Sequence, residues 1–257
     1  MREPFDPDSL DHRDPQLIDR LLPLMELFNR HYLRLRVEGI GNVPRGPALF
    51  VANHNGGIMG PDLSCTLATL WRASHGEPLF ALAHDFAMRQ LTPLGRQLQR
   101  VGAIRASRAN AERALRSHAQ VLVYPGGDLD AYRPSAKRDE VVILPRTGFV
   151  EVAQREGVPI VPIVAQGAHR SAWIFTDGAA IASALRLPRW ARLERFPIAA
   201  ALPWGLSAGP WLPYLPLPFP VRLRILPPRI VPPGESPLAT ATSIQQEMQS
   251  ALDELRA

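Results

Sequence analysis

The chain has 257 residues, of which 46% are hydrophobic and 21% charged, so its composition excludes a disordered chain and permits one large domain or two small ones. The single cysteine, Cys65, excludes an internal disulfide and fits a reducing compartment, for which we expect the cytoplasm. A net charge of +5 favours anionic partners such as phospholipid headgroups, phosphorylated substrates or nucleic acid. The polar, acidic residues 1–16 do not have the composition of a signal peptide.

The spacing of apolar residues predicts helices and strands that alternate along the chain. Residues 1–34 are expected to form a polar arm and then an amphipathic helix, which begins near residue 16 and is kinked at Pro23. Residues 35–257 are expected to form the main domain, which ends in a helix at 236–256. Strands are predicted within "RLRVEG", "ALFVAN", "PLFALAH", "VGAIRA", "QVLVYP" and "PIVPIVA", and helices at "DLSCTLATLWRA", about 85–100, "NAERALRSH" and "TGFVEVAQREG". This alternation predicts an α/β fold: a single domain with a largely parallel central sheet flanked by helices.

The segment 196–221 departs from this pattern because it contains no charged residue and seven prolines. Its length would allow it to span a bilayer, but each proline inside a helix costs about 3 kcal/mol, so a spanning helix is excluded. Two interpretations remain: a proline-rich loop packed over the core, or a surface that contacts lipid. The second is favoured by rings suited to a membrane interface and by preceding arginines that would meet anionic headgroups. These residues are Trp190, Trp204, Trp211, Tyr214, Phe219, Arg186, Arg189, Arg192 and Arg195.

Three predicted strands are followed by residues of types that are common in catalytic and ligand-binding sites. "ALFVAN" is followed by His54, "VGAI" by Arg105, and "VLVY" by a turn that contains Gly126 and Gly127. In an open α/β sheet, ligands bind at the carboxyl ends of the strands. The sequence therefore predicts a base, a cation and a glycine loop at one edge of the sheet.

His54 and Asp62 are the candidate catalytic pair. An imidazole with a pKa of about 6.5 takes a proton from an alcohol near neutral pH, and an aspartate on its other nitrogen orients the ring. Asp62 follows Pro61 at the predicted start of a helix. The alternatives are a structural histidine and an aspartate that only complements the helix dipole.

No protein nucleophile accompanies this pair. The sequence contains no Gly-x-Ser-x-Gly elbow, and Cys65 lies within the apolar pattern of a predicted helix, which is typical of a core residue. A histidine and an aspartate without a serine or cysteine indicate that the substrate's own hydroxyl is the nucleophile, deprotonated by His54 for direct attack on an activated acyl group.

Four blocks, in order, resemble the glycerophospholipid acyltransferase family: "NHNGGIMGPD", "GAIRAS", "VYPGGDLDAYRP" and "VPIVPIV". The run from "RASRANAERAL" to "VYPGGDLDAYRP" is most similar to its diacylglycerol acyltransferase-like branch. The resemblance implies that His54 is the general base and Asp62 its partner. It also implies that the acceptor is bound by Arg105, Gly126, Gly127, Asp130 and Arg133.

Two departures from the family pattern concern this site. Seven residues separate His54 from Asp62, where most of the family has four, although three of the seven are glycines. In the third block Gly127 stands where the family usually has a glutamate, and the acids come later. The sequence is therefore compatible with a phosphorylated acceptor and with a neutral one.

The resemblance implies an enzyme that moves an acyl group from acyl-CoA or acyl carrier protein to a glycerolipid or lysophospholipid hydroxyl. The net positive charge and the apolar segment 196–221 predict that the protein attaches peripherally to the inner, cytoplasmic face of an anionic membrane. The resemblance implies no cofactor, and no cluster of candidate ligands has metal-site spacing. The alternative is a catalytically silent, lipid-binding relative in which the longer loop displaces Asp62. A contact between the two side chains would favour the enzyme.

A basic stretch surrounds the second block. The expected role of most of its arginines is a solvated face with helix pairs such as Glu112–Arg116. No aromatic residues interleave with them, so nucleic acid is not a predicted partner. The stretch comprises Arg96, Arg100, Arg105, Arg108, Arg113 and Arg116.

Overall fold

The computed structural model describes residues 5–57, 60–90, 92–191, 193–209 and 214–256. Its strands are β1 (Arg36–Glu38), β2 (Leu49–Ala52), β3 (Leu79–Ala83), β4 (Ala103–Arg105), β5 (Gln120–Val123), β6 (Ile160–Gln166), β7 (Trp173–Thr176), β8 (Ile198–Ala201), β9 (Gly205–Ala208) and β10 (Arg222–Ile225). Its α-helices are α1 (Pro15–His31), α2 (Pro61–Ala73), α3 (Thr92–Arg100), α4 (Arg108–Arg116), α5 (Gly127–Ala131), α6 (Gly148–Glu156), α7 (Ala179–Ala184), α8 (Leu187–Trp190) and α9 (Pro237–Arg256).

The central sheet has seven strands in the order β1-β10-β6-β2-β5-β3-β4. Strands β6, β2, β5, β3 and β4 run parallel to one another, whereas β10 is antiparallel to β6. Strand β2, which leads to His54, lies between β6 and β5. The prediction of an α/β domain with a largely parallel sheet is confirmed.

Both faces of the sheet are covered, which explains why β2 is a continuous apolar run. Leu49 and Val51 pack into one core with helices α4, α6 and α9, and Phe50 and Ala52 pack into a second core on the opposite face. All four side chains are buried. A strand held in this way positions the residues that follow it.

The helical region predicted at about 85–100 is interrupted. A turn of π-helix at Phe86–Gln90 precedes α3. Helix α1 includes Pro23 and ends at His31, a few residues before the predicted end.

The proline-rich segment contributes to a second, small sheet, which was not predicted. Strands β7, β8 and β9 form an antiparallel sheet, and its turn and faces carry exposed apolar side chains. Trp211 and Arg192 lie outside the described residues, as does the side chain of Trp190. Within the described part of the chain, no helix has the length and apolarity needed to cross a bilayer.

Candidate active site

His54 and Asp62 are in direct contact. The Nδ1 atom of His54 lies 2.8 Å from Oδ2 of Asp62, which also accepts a hydrogen bond of 3.1 Å from the backbone N–H of Asn55. Asp62 is fully buried and His54 is 7% exposed. Because the carboxylate accepts from Nδ1, the neutral ring carries its proton there and leaves Nε2 as the basic nitrogen.

Two opposing effects set the pKa of His54. Burial disfavours the imidazolium and lowers the pKa, but the charge and the hydrogen bond of Asp62 outweigh it, so the pKa is raised above its usual value of 6.5. A raised pKa makes the ring a stronger base, and the aspartate stabilises the imidazolium once it forms.

The loop between the two residues folds back on itself, which is how seven intervening residues still allow contact. Gly56 and Gly57 have φ values of +75° and +90°, in the left-handed region that favours glycine. The N–H of Gly60 donates to the carbonyl of Gly57 at 3.0 Å. A Cβ on Gly60 would lie 1.8 Å from the carbonyl oxygen of Asn55, so only glycine fits at this return of the chain.

Arg133 and Asp130 form hydrogen bonds with the first residues of this loop, His54 and Asn55. Arg133 is 3% exposed, and its guanidinium donates to the His54 carbonyl at 2.7 Å, to the Asn55 side chain and to the Asp130 carboxylate at 2.7 Å. Asp130 in turn accepts from the His54 N–H. The expectation that these two residues bind the acceptor does not fit their burial, because their polar atoms are used within the protein.

His169 is a site residue that the sequence reasoning missed. It is 2% exposed, its Nδ1 accepts from the N–H of Gly56 at 3.1 Å, and its Nε2 donates to the Arg133 carbonyl at 2.9 Å. Burial lowers its pKa to about 3, so the ring is neutral. It follows the carboxyl end of β6, and the strand-end rule that selected His54 would have found it.

Gly126 and Gly127 open the short helix α5 beside the site. A Cβ on Gly126 would lie 2.0 Å from the carbonyl oxygen of Val142, so a side chain there would push residues 141–143 away. Gly127 lines the cavity described next.

A cavity of about 350 Å³ opens beside His54. Its wall is mainly apolar, with His54, His84, Arg108, Asp128 and Arg146 among the few polar side chains. The apolar lining comes from both faces of the sheet and includes Leu49, Leu63, Leu67, Ala81, Val123 and Phe149. The base therefore stands at the wall of an apolar space of ligand size.

Arg105 does not line this cavity, and it is not free. Its Nε and Nη2 atoms form two hydrogen bonds of 2.7 Å each to the carboxylate of Asp8. Other arginines of the basic stretch are paired as well, Arg100 with Asp14 and Arg108 with Glu151. The predicted pair of Glu112 and Arg116 is confirmed, at 3.6 Å.

Cys65 is buried, and burial raises the pKa of its thiol. A thiol of this kind is inert as a nucleophile near neutral pH. The interpretation of Cys65 as a core residue is confirmed.

Comparisons with known proteins point to an acyltransferase family. A family model described as Acyltransferase matches residues 34–166, slightly more than half of the chain. An uncharacterized protein of Mycobacterium tuberculosis is 31% identical over 73% of this chain and 52% of its own length. One of Mycobacterium leprae is 28% identical over 77% of this chain and 53% of its own. The chain thus spans about half the length of the curated relatives it matches.

Among solved structures, the crystal structure of the 1-acyl-sn-glycerophosphate acyltransferase PlsC from Thermotoga maritima is similar, with a TM-score of 0.58. The match covers 95% of this chain and 84% of that one, at 16% identity. At this identity the likeness shows a shared fold.

Proposed function

The chain belongs to the acyltransferase family, and we propose that it moves a fatty acyl group from an acyl thioester, acyl-CoA or acyl carrier protein, to a hydroxyl of a glycerolipid or lysophospholipid. The observation that carries the proposal is the 2.8 Å contact between His54 and Asp62 at the wall of an apolar cavity. This contact supports an enzyme over a catalytically silent, lipid-binding relative. In the silent alternative the longer loop would move Asp62 away from His54, whereas the two side chains are in contact.

His54 Nε2 takes the proton of the acceptor hydroxyl as its oxygen attacks the thioester carbonyl. The tetrahedral intermediate then collapses with cleavage of the C–S bond, and the imidazolium returns the proton to the departing thiolate. Asp62 holds the ring and stabilises its positive charge between these two steps. Because the thiolate and the proton leave together, the enzyme ends each cycle in its starting state.

The cavity suits the acyl chain. A volume of about 350 Å³ lies in the range of small-molecule pockets, and the lining offers mostly carbon to a ligand. An acyl chain seated there places its thioester carbonyl beside His54, which is the geometry that direct attack requires.

We also propose peripheral attachment to the cytoplasmic face of an anionic membrane. Large apolar side chains are exposed on the small sheet, with Trp173 56%, Trp204 53% and Leu206 73% exposed, and on helix α1, with Leu24 64% and Leu27 58% exposed. Arg186 and Arg189 are exposed in the segment that connects β7 to β8. Apolar rings with neighbouring cations are suited to a lipid interface.

Tyr214 has a different role from the interface role expected for it. Its hydroxyl contacts the Gly56 carbonyl at 2.5 Å and Oγ of Ser171 at 2.7 Å. The proline-rich segment is thereby joined to the loop that carries His54, so a lipid surface on this segment would lie close to the catalytic pair.

The test offers purified protein a panel of acyl-CoA donors with lysophospholipid, glycerol phosphate and glyceride acceptors, and identifies the products by mass spectrometry. We expect an O-acylated lipid from at least one pair. Thioester hydrolysis alone, or no reaction across the panel, would contradict the proposal.

A further inference from the structure

The arm at residues 5–14 places a carboxylate on an anion-binding site of the main domain. Arg105 donates two parallel hydrogen bonds to Asp8, and Nδ2 of Asn110 adds a third at 2.6 Å. A guanidinium fork with an added amide donor is the arrangement that recognises carboxylates and phosphates in general. In this chain the anion that fills the arrangement is Asp8.

The site belongs to the same region as the catalytic cavity. Arg105 ends β4 at the carboxyl edge of the sheet, and its neighbours Ala103 and Ala106 line the cavity that His54 also lines. An acceptor whose hydroxyl reaches His54 would therefore present its headgroup near this cluster.

Asp8 already neutralises the positive charge of Arg105. Hydrogen bonds from Arg105 lower the pKa of Asp8, so the carboxylate is ionised at neutral pH. Asp85 lies 3.9 Å from Nε of Arg105, which adds a second negative charge on the same side. A phosphorylated headgroup would have to break the Asp8–Arg105 pair and would be repelled by Asp85. An uncharged headgroup requires neither the loss of that pair nor the approach of two negative charges.

Resting on the acyl-transfer function proposed above, we infer that Asp8 is a specificity-determining residue, and that by occupying Arg105 it restricts the acceptor to lipids with uncharged headgroups. A diglyceride or a similar neutral alcohol is the class of acceptor that fits. Removing the carboxylate exposes a guanidinium fork for a phosphate.

Loss of the Asp8 side chain leaves the arm in place, because other contacts hold it. The Pro7 carbonyl accepts from the N–H of Arg105 at 3.0 Å, and the Asp6 carbonyl accepts from Gln99. Asp14 forms an ion pair of 2.8 Å with Arg100. The variant therefore changes the charge at Arg105 while the arm stays attached.

The kinetic test compares wild type, Asp8→Ala and Asp11→Ala with diacylglycerol and with lysophosphatidate as acceptors. Asp11 is an exposed carboxylate of the same arm and serves as the matched control. Wild type should favour diacylglycerol. Asp8→Ala should raise the ratio of kcat/KM for lysophosphatidate over diacylglycerol about tenfold, the discrimination that one charge-assisted hydrogen-bonded pair supplies. Asp11→Ala should leave the ratio unchanged, and adding Arg105→Ala to Asp8→Ala should abolish the gain.

A binding measurement tests the site without acyl transfer. Inorganic phosphate should raise the Tm of Asp8→Ala and leave that of wild type unchanged; if Asp8→Ala does not fold, Asp8→Asn takes its place. An equal response of both proteins, or a wild type that uses lysophosphatidate as well as diacylglycerol, overturns the inference. Absence of acyl transfer from any donor would count against the proposed function instead, and the phosphate measurement would still decide the role of Asp8.

Discussion

At the scale of single residues, one buried aspartate determines what His54 can do. Without Asp62, burial would hold the imidazole neutral and poorly basic, since it lowers the pKa. With Asp62 at 2.8 Å, the ring accepts a proton more readily and keeps one orientation. His54 is therefore buried away from solvent and, because of Asp62, is still basic enough to accept a proton.

This balance predicts the pH dependence of the reaction. The general base acts when neutral, so kcat/KM should rise with pH as His54 loses its proton, with a midpoint above 6.5 because Asp62 raises the pKa. Asp62→Asn removes that effect, so the midpoint should move to lower pH while kcat at the optimum falls about 100-fold or more. Full pH–rate profiles of both proteins give the answer, with Asp11→Asn as the control; a midpoint that stays in place or moves to higher pH would refute the assignment.

Single residues also show how far the sequence could predict this site. His54 and Asp62 were predicted because a strand end and a helix start are visible in the residue pattern. Arg133 and His169 support the loop through backbone atoms such as the His54 carbonyl and the Gly56 N–H. Hydrogen bonds to backbone atoms depend on the three-dimensional path of the main chain, which residue types alone do not reveal. Arg133 was assigned to the acceptor on the family resemblance of its block, and its burial could not be seen from the residue types.

At the scale of elements, the His54–Asp62 loop depends on a close approach of two backbone segments. Gly60→Ala would put a Cβ against the carbonyl of Asn55, which has to shift and move Asp62 with it. We expect turnover to fall at least tenfold and the free energy of unfolding to fall by about 1–3 kcal/mol, as for other overpacked sites.

Gly41→Ala is the matched control for this variant. A Cβ at Gly41 meets no atom within 4 Å, so turnover should be unchanged and stability equal or slightly higher. Turnover and chemical denaturation are measured on both variants. Equal turnover and stability of the two variants would mean that the loop accommodates a Cβ at residue 60, and that the close approach to the Asn55 carbonyl is not required for activity.

The elements that were not predicted have a physical explanation. β8 and β9 contain mainly alanine and glycine with little β propensity, and their pairing with each other and with β7 stabilises them. β10, by contrast, alternates arginine with apolar residues in a period of two, and its buried positions follow that alternation. This strand was missed in the sequence analysis, although its pattern predicts it.

At the scale of the whole molecule, exposed apolar surface lies on both α1 and the small sheet, and residues 214–221 join the two. The Tyr32 hydroxyl donates to the Pro216 carbonyl at 2.8 Å, and Leu215 forms a β-bridge with Leu202. Because Tyr214 contacts Gly56, this connection also reaches the catalytic loop. A lipid surface on these elements, as proposed above, would be connected through Tyr214 to the loop that carries His54.

Liposome flotation tests the membrane proposal. Each exposed side chain contributes about 25 cal/mol per Å² of apolar area transferred to lipid, and each nearby arginine about 1 kcal/mol that salt screens. Wild type should float with anionic liposomes at low salt and less at high salt, and Trp204→Ser/Leu206→Ser should bind more weakly. Ile230→Ser/Leu238→Ser removes exposed apolar side chains elsewhere and should float like wild type. A wild type that stays in the soluble fraction at low salt would contradict the proposal.

The transfer rate of His54→Ala tests the central claim, that His54 is the base for acyl transfer to a lipid hydroxyl. Wild type and His54→Ala are compared at saturating acyl-CoA with an acceptor that wild type uses, and circular dichroism and Tm check that both are folded. We predict that the variant folds and loses activity by about 100- to 10,000-fold, the contribution of a general base. A folded His54→Ala protein with near-wild-type turnover would contradict the account.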